Sequence, residues 1–134
     1  CPNGSCSPEQ VEIVRAMFRS VGEVYDVPEA QFAAFSALGG ASGAFVQMYI
    51  DALSSAGVKA GLSRKLAQEV ACQATLGASK LCQQTGEHPM ALVDKVTSPG
   101  GTTIEGVHML KKCGFESAVI EAVGAVIEKD KKLG

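Results

Sequence analysis

The sequence predicts an all-α domain built as a bundle of about six to seven helices. Apolar residues recur at three- and four-residue steps through most of the chain, glycines and prolines fall between those periodic runs, and no stretch reads as a sheet. With 134 residues the chain has the length of one domain, here 1–134, enough to bury a core without disulfide staples. Hydrophobic residues make up 46% but aromatics only 5%, with no Trp. Ala, Val, Leu, Ile and Met must therefore build the core, through tightly packed helices.

The first helix starts at a capping box, Ser7-Pro8-Glu9-Gln10, and carries Val11, Val14, Phe18 and Val21 on one side. Glu23 to Val27 reads as a short extended segment ahead of Pro28, and Pro28 to about Leu38 as a second, weaker helix. Gly39-Gly40-Ala41-Ser42-Gly43-Ala44 leads into Phe45–Leu53, apolar nearly all round and so expected to be central and buried. These glycines lack GxGxxG spacing and a preceding buried strand, so close helix packing explains them better than a dinucleotide fingerprint. Gly57 and Gly61 are expected to bracket a turn and Ser63 to cap the longest helix, with Leu66, Val70, Ala74, Ala78 and Leu81 on one face and a stop near Gly86. A short helix follows from Pro89 to Val96. Another spans Thr103 to Cys113, with Glu105 in its first turn, Lys111 and Lys112 in its last, and Gly114 as its stop. Phe115, Ala118, Val119, Ala122, Val126 and Ile127 mark the last helix, ending in the charged cluster Glu128 to Lys132, where the tail is expected to fray.

Twelve Lys and Arg against fourteen Asp and Glu give a net charge of −2, which argues against nucleic acid or an anionic membrane as partner. No apolar run approaches the roughly 18 residues that would span a bilayer, and the start has no signal-peptide pattern, so the chain reads as soluble and cytoplasmic. Cysteines 1, 6, 72, 82 and 113 form an odd set without CxxC spacing, which fits reduced thiols. His88 and His108 have no ligand spacing, and no metal site is expected. Ser42 sits outside any GxSxG elbow, which argues against a catalytic triad. Glu87 and His88 could form an acid and base pair, but Gly86-Glu87-His88-Pro89 more simply ends one helix and starts another, with His88 structural.

Thr97-Ser98-Pro99-Gly100-Gly101-Thr102-Thr103 places a proline, two glycines and four hydroxyls directly ahead of an apolar helical pattern. Glycines let backbone approach a bound group, and a helix start offers unpaired amides and a partial positive charge, so a carboxylate or phosphate is the ligand such a loop favours. A turn followed by an N-cap explains the same composition.

The run His88-Pro89-Met90-Ala91-Leu92-Val93-Asp94-Lys95-Val96 followed by TSPGGTTIEGVHMLKKCGF closely resembles the C-terminal domain of pyrroline-5-carboxylate reductases. Ala56-Gly57-Val58, Gly61-Leu62-Ser63-Arg64, Ala71-Cys72-Gln73 and Phe18-Arg19-Ser20-Val21-Gly22 extend the resemblance over nearly the whole chain. The resemblance implies an interlocked homodimer, open to higher oligomers, similar in fold to the C-terminal domain of 6-phosphogluconate dehydrogenase-like reductases. It implies a reductase of a cyclic imine carboxylate to proline that uses NADP or NAD. The nucleotide belongs on an N-terminal Rossmann domain, and this domain alone would bind no cofactor tightly and would be inactive. Residues 1–6 resemble the junction with that domain, and with no initiator methionine the chain reads as a fragment.

By resemblance, Ser98, Gly100, Gly101, Thr102 and Thr103 bind the substrate carboxylate, and the Thr103 hydroxyl, as catalytic residue, reaches toward the ring nitrogen. Ala41 and Ser42 would lie near the nicotinamide. One departure stands out: family members usually read close to Leu-Ser-Gly-Ser-Gly-Pro-Ala-Tyr where this chain has Leu38-Gly39-Gly40-Ala41-Ser42-Gly43-Ala44-Phe45. The altered segment keeps two alternatives open, a structural oligomerisation module that has lost catalysis and a related reductase of another imine or keto acid.

Overall fold

The computed structural model describes residues 4–132; the expectations for the junction at Cys1-Pro2-Asn3 and for the Cys1 thiol lie outside the described residues. Those residues hold seven α-helices and no strand: α1 (Pro8–Arg19), α2 (Phe32–Ser36), α3 (Ser42–Lys59), α4 (Arg64–Thr85), α5 (Pro89–Lys95), α6 (Thr102–Lys112) and α7 (Phe115–Lys131). A 3-10 turn at Glu29–Gln31 precedes α2, and a π turn at Ala37–Ala41 joins α2 to α3.

The ends follow local chemistry. The Ser7 hydroxyl accepts from the Gln10 amide while the Gln10 side chain accepts from the Ser7 amide, the reciprocal box read from the sequence. Ser63 caps α4 by accepting from the Leu66 amide, and Gly86 ends it at φ 65°. The α3–α4 hairpin closes through a Schellman motif: the Leu62 amide donates to the Gly57 carbonyl and the Gly61 amide to that of Val58, with Gly61 at φ 102°. Gly57 therefore lies inside α3 and does not bracket the turn. A β-carbon there would stand 3.0 Å from the Ala67 Cβ, so this glycine serves helix contact.

That contact is the heart of the chain. α4 turns Ala67 and Ala71 onto α3, both buried, and the Arg64 guanidinium donates to the Ser54 and Ser55 hydroxyls at 3.4 and 3.1 Å. Ser54 is buried at 2% exposure. The expected face of α4 through Leu66, Val70 and Leu81 is instead exposed, because only alanines let the two backbones come this close. A second contact region gathers on α7, where α2, the π turn with the buried Ala37, and α6 all pack. Tyr49 of α3 meets Phe115 at the start of α7, ring centroids 6.0 Å apart.

α3 is not buried as expected. Met48 is 72% exposed, and Val46, Tyr49 and Leu53 are also open to water. The remaining helices of a single chain do not surround α3, so its all-round apolar character is only partly covered within the protomer, chiefly by α4. A monomeric protein of 13.8 kDa shows about 6,600 Å² of accessible surface, whereas this chain shows 10436 Å². The excess is roughly 3,800 Å² by that scaling, and Leu76, Leu81, Val70, Met109 and Ile120 are among the large apolar side chains left exposed.

Other departures are local. Glu23 to Val27 takes no regular form; it folds back on α1, where the Arg15 guanidinium donates to the Asp26 carboxylate at 2.6 Å. Between them lies a cleft of ≈ 310 Å³, lined in part by Val11, Val14, Phe18 and Tyr25. The second helix becomes a 3-10 turn, a single α turn and the π turn. α7 runs on through the charged cluster to Lys131, and the end of the tail, residues 133–134, lies outside the described residues. A β-carbon added at Gly39, Gly40 or Gly43 would meet no atom within 4 Å, so close packing inside the protomer does not account for these glycines.

Candidate functional site

The loop between α5 and α6 is built from both sides. His88 caps α5: its Nδ1 accepts from the Met90 amide at 3.2 Å, and Pro89 takes the first helical position. Lys95 in the last turn reaches back to both carboxylate oxygens of Glu87, at 2.7 and 2.5 Å. Glu87 and His88 thus hold the short helix in place and form no acid and base pair. Proline at 89 is the sequence signal that marks residue 88 as a cap, although histidine is not among the residues usually found there.

After α5 the Thr97 hydroxyl donates back to the Val93 and Asp94 carbonyls, at 3.0 and 3.3 Å, and closes the helix end. The Gly101 amide then donates to the Ser98 carbonyl at 3.0 Å across Pro99 and Gly100. Proline fixes the first central φ negative, and Gly100 sits at φ 66°, so Ser98–Gly101 is a type II turn. A β-carbon on Gly101 would collide with the Ser98 hydroxyl and stand 3.1 Å from the Ser98 carbonyl oxygen. Each glycine is therefore demanded by a different feature, positive φ at 100 and close approach at 101.

Gly101 is also the N-cap of α6, and no side chain caps that helix. The contrast with α1, α4 and α5, each capped by a side chain, is direct. The Gly101 amide is committed to the turn, so it does not join the open donors as expected. The amides of Thr102, Thr103 and Ile104 begin the helix and have no intrahelical acceptor. The Ser98, Thr102 and Thr103 hydroxyls stand beside them, exposed and without a protein hydrogen bond among the described residues. The arrangement offers several neutral N–H and O–H donors, no charged side chain within the loop, and the positive end of an eleven-residue helix. Such a set suits an anion with more than one oxygen.

Ala41 and Ser42 sit in the connection from α2 to α3. Ala41 ends the π turn, and the Ser42 hydroxyl donates to the Leu38 carbonyl. The π turn rests on α2, α3 and α7, and no hydrogen bond joins it to Thr97–Thr103. The four described cysteines are unpaired, and no group of three or more metal-ligating side chains gathers among the described residues. No helix of the described residues is long and apolar enough to cross a membrane.

Residues 29–133 match the family described as pyrroline-5-carboxylate reductase dimerisation. Among curated proteins, the pyrroline-5-carboxylate reductase of Synechocystis is 46% identical over 132 residues, covering 98% of this chain and 49% of the relative. That of Escherichia coli is 43% identical over the same length and the same shares. Among solved structures, the NADP-bound pyrroline carboxylate reductase of Plasmodium falciparum superposes with a TM-score of 0.93 at 32% identity, covering all of this chain and 51% of that one. The 1-pyrroline-5-carboxylate reductase of Streptococcus pyogenes gives 0.92 at 35% identity, over 97% of this chain and 50% of that one. The chain spans about half the length of the curated relatives it matches, and the family match leaves residues 1–28 outside it. With the matched region covering the whole helical bundle from the 3-10 turn onward, the chain belongs to the pyrroline-5-carboxylate reductase dimerisation family.

Proposed function

We propose that this chain is the dimerisation and substrate-binding part of a pyrroline-5-carboxylate reductase, the enzyme that reduces the C=N bond of a cyclic imine carboxylate to give proline. The observation that carries the substrate role is the open start of α6 behind the Ser98–Gly101 turn. The substrate carboxylate binds the Thr102 and Thr103 amides with help from the Ser98 and Thr102 hydroxyls, and the Thr103 hydroxyl faces the ring nitrogen. Preorganised neutral donors suffice, since each hydrogen bond to a charged group contributes roughly 1.5–3 kcal/mol. Gly100 and Gly101 act through the backbone, by allowing the turn that aims those donors.

The nicotinamide cofactor of the reaction supplies the hydride. The described residues do not fit it: they contain no strand, and the Gly39–Gly43 run lies in a helical path with no phosphate-binding turn between strand and helix. No step is therefore assigned to a cofactor on this chain, and Ser42, whose hydroxyl is engaged by Leu38, is not offered as a cofactor ligand.

Titration of the isotope-labelled chain with proline, followed by NMR, tests the substrate role. Shifts concentrated at Ser98 and at Gly100 through Thr103 are expected; a demonstrated dimer in which these resonances stay still would contradict it. The accessible surface favours pairing as a second function of the same chain, through the exposed faces of α3 and α4. Light scattering at micromolar concentration should return a mass above the 13.8 kDa of one chain, and a clean monomer would refute the pairing.

A further inference from the structure

We infer that the Ser42 hydroxyl sets the register between α2 and α3, by replacing the donor that the π turn takes from the Leu38 carbonyl. In an α-helix each carbonyl accepts from the amide four residues on. Here the Ser42 amide donates to the Ala37 carbonyl, five residues back. The ordinary partner of Leu38 is thereby lost, and the Ser42 hydroxyl donates to that carbonyl instead. Serine back-bonding to the residue four before it normally competes with the amide; at this turn it fills the vacancy.

The turn's own glycines do not hold it: side chains at Gly39 or Gly40 would meet nothing within 4 Å, so the extra residue is kept by its hydrogen bonds together with the packing on either flank. Both flanks give that residue a purpose. On one side α2 and the π turn, with Ala37 at 1% exposure, lie against α7. On the other, α3 is fixed to α4 where Gly57 meets Ala67. Converting the turn to α-helix would rotate α2 by about 100° relative to α3, one residue's share of a 3.6-residue turn, and swing Ala37 off α7. The π turn absorbs the mismatch between two packings that are each closed.

The isotope-labelled 134-residue chain provides the test. In the wild type, the Ser42 hydroxyl proton should exchange slowly, and its deuteration should shift the Leu38 carbonyl carbon. A hydroxyl exchanging at the rate of free serine, with the Leu38 carbon unmoved, would overturn the inference without any variant. In Ser42→Ala, amide exchange at Ala41 and at position 42 should quicken about two- to tenfold while Val70 in α4 stays unchanged. Ser42→Thr should restore the wild-type rates, because its hydroxyl reaches the same carbonyl. Equal exchange in the alanine and threonine variants would also overturn the inference. If the alanine variant does not fold, the wild-type measurement decides.

Discussion

At the α3–α4 hairpin a glycine lets two helices close on each other, and at the start of α6 two glycines let the chain turn so that donors stay open. Gly57 brings α3 within van der Waals reach of Ala67, no buried side-chain polar atom among the described residues lacks a partner, and Arg64 ties Ser54 and Ser55 across the pair. Gly100 and Gly101 serve a turn instead: positive φ at 100 and close approach at 101 shape the loop ahead of the first amides of α6 and three hydroxyls that have no protein partner among the described residues. One region has spent its donors on itself. The other keeps them open, which is what a binding site for an anion needs and what a stable fold otherwise avoids.

The largest effect should come from closing the space at the hairpin. Gly57→Val places two further carbons where a β-carbon alone already stands 3.0 Å from Ala67. The overpacking should cost about 3 kcal/mol, read by chemical denaturation at fixed protein concentration; an unchanged midpoint would mean that the hairpin is not the anchor of the fold. Thr103→Ala should leave the denaturation midpoint in place and weaken proline binding roughly tenfold or more, for loss of one hydrogen bond involving a charged group. Calorimetric titration that returns the wild-type dissociation constant would remove Thr103 from the site.

A smaller change is expected from Gly100→Ala, since position 100 holds φ 66°. The left-handed conformation costs a residue with a β-carbon about 1–2 kcal/mol, and the strain should appear as weaker binding together with faster amide exchange at Gly101. Wild-type exchange at Gly101 would argue against the type II turn.

The smallest effect separates both regions from the surface of α1. The side-chain hydrogen bond from Arg15 holds the Asp26 carboxyl below its ordinary value of 3.8, and the same pairing raises Arg15. A carboxyl depressed in the folded state adds stability above the unfolded value and loses it as pH falls through the folded one. Asp26→Asn should therefore destabilise slightly at neutral pH, less in high salt, and the difference should shrink as pH falls below 3.8 and the folded-state carboxyl takes up its proton. A constant difference down to pH 2 would show that the ion pair is not the cause.

Much of the fold was legible because it is local. The Ser7 and Ser63 caps, the stops at Gly86 and Gly114, and the charge order of α6 depend on residues within one turn of each helix end, and each stands where its sequence puts it. The apolar faces of α3 and α4 misled for a physical reason. A repeating Leu and Val pattern shows that a face must be covered, without saying by which chain, and within the protomer the alanines are the residues that close. The loop was legible in part: composition pointed to glycine-dependent backbone and an open helix start. Which amides remain free depended on the Gly101 to Ser98 hydrogen bond, a detail of turn geometry. The π turn was illegible, because Leu38-Gly39-Gly40-Ala41-Ser42 can read as a break or a helix and only packing on both sides decides.

A crystal structure of the chain with bound proline tests the assignment of the loop most directly. One carboxylate is expected per loop, its oxygens about 2.7–3.2 Å from the Thr102 and Thr103 amide nitrogens and within reach of the Ser98 hydroxyl. Proline bound elsewhere, with the start of α6 left to solvent, would contradict it.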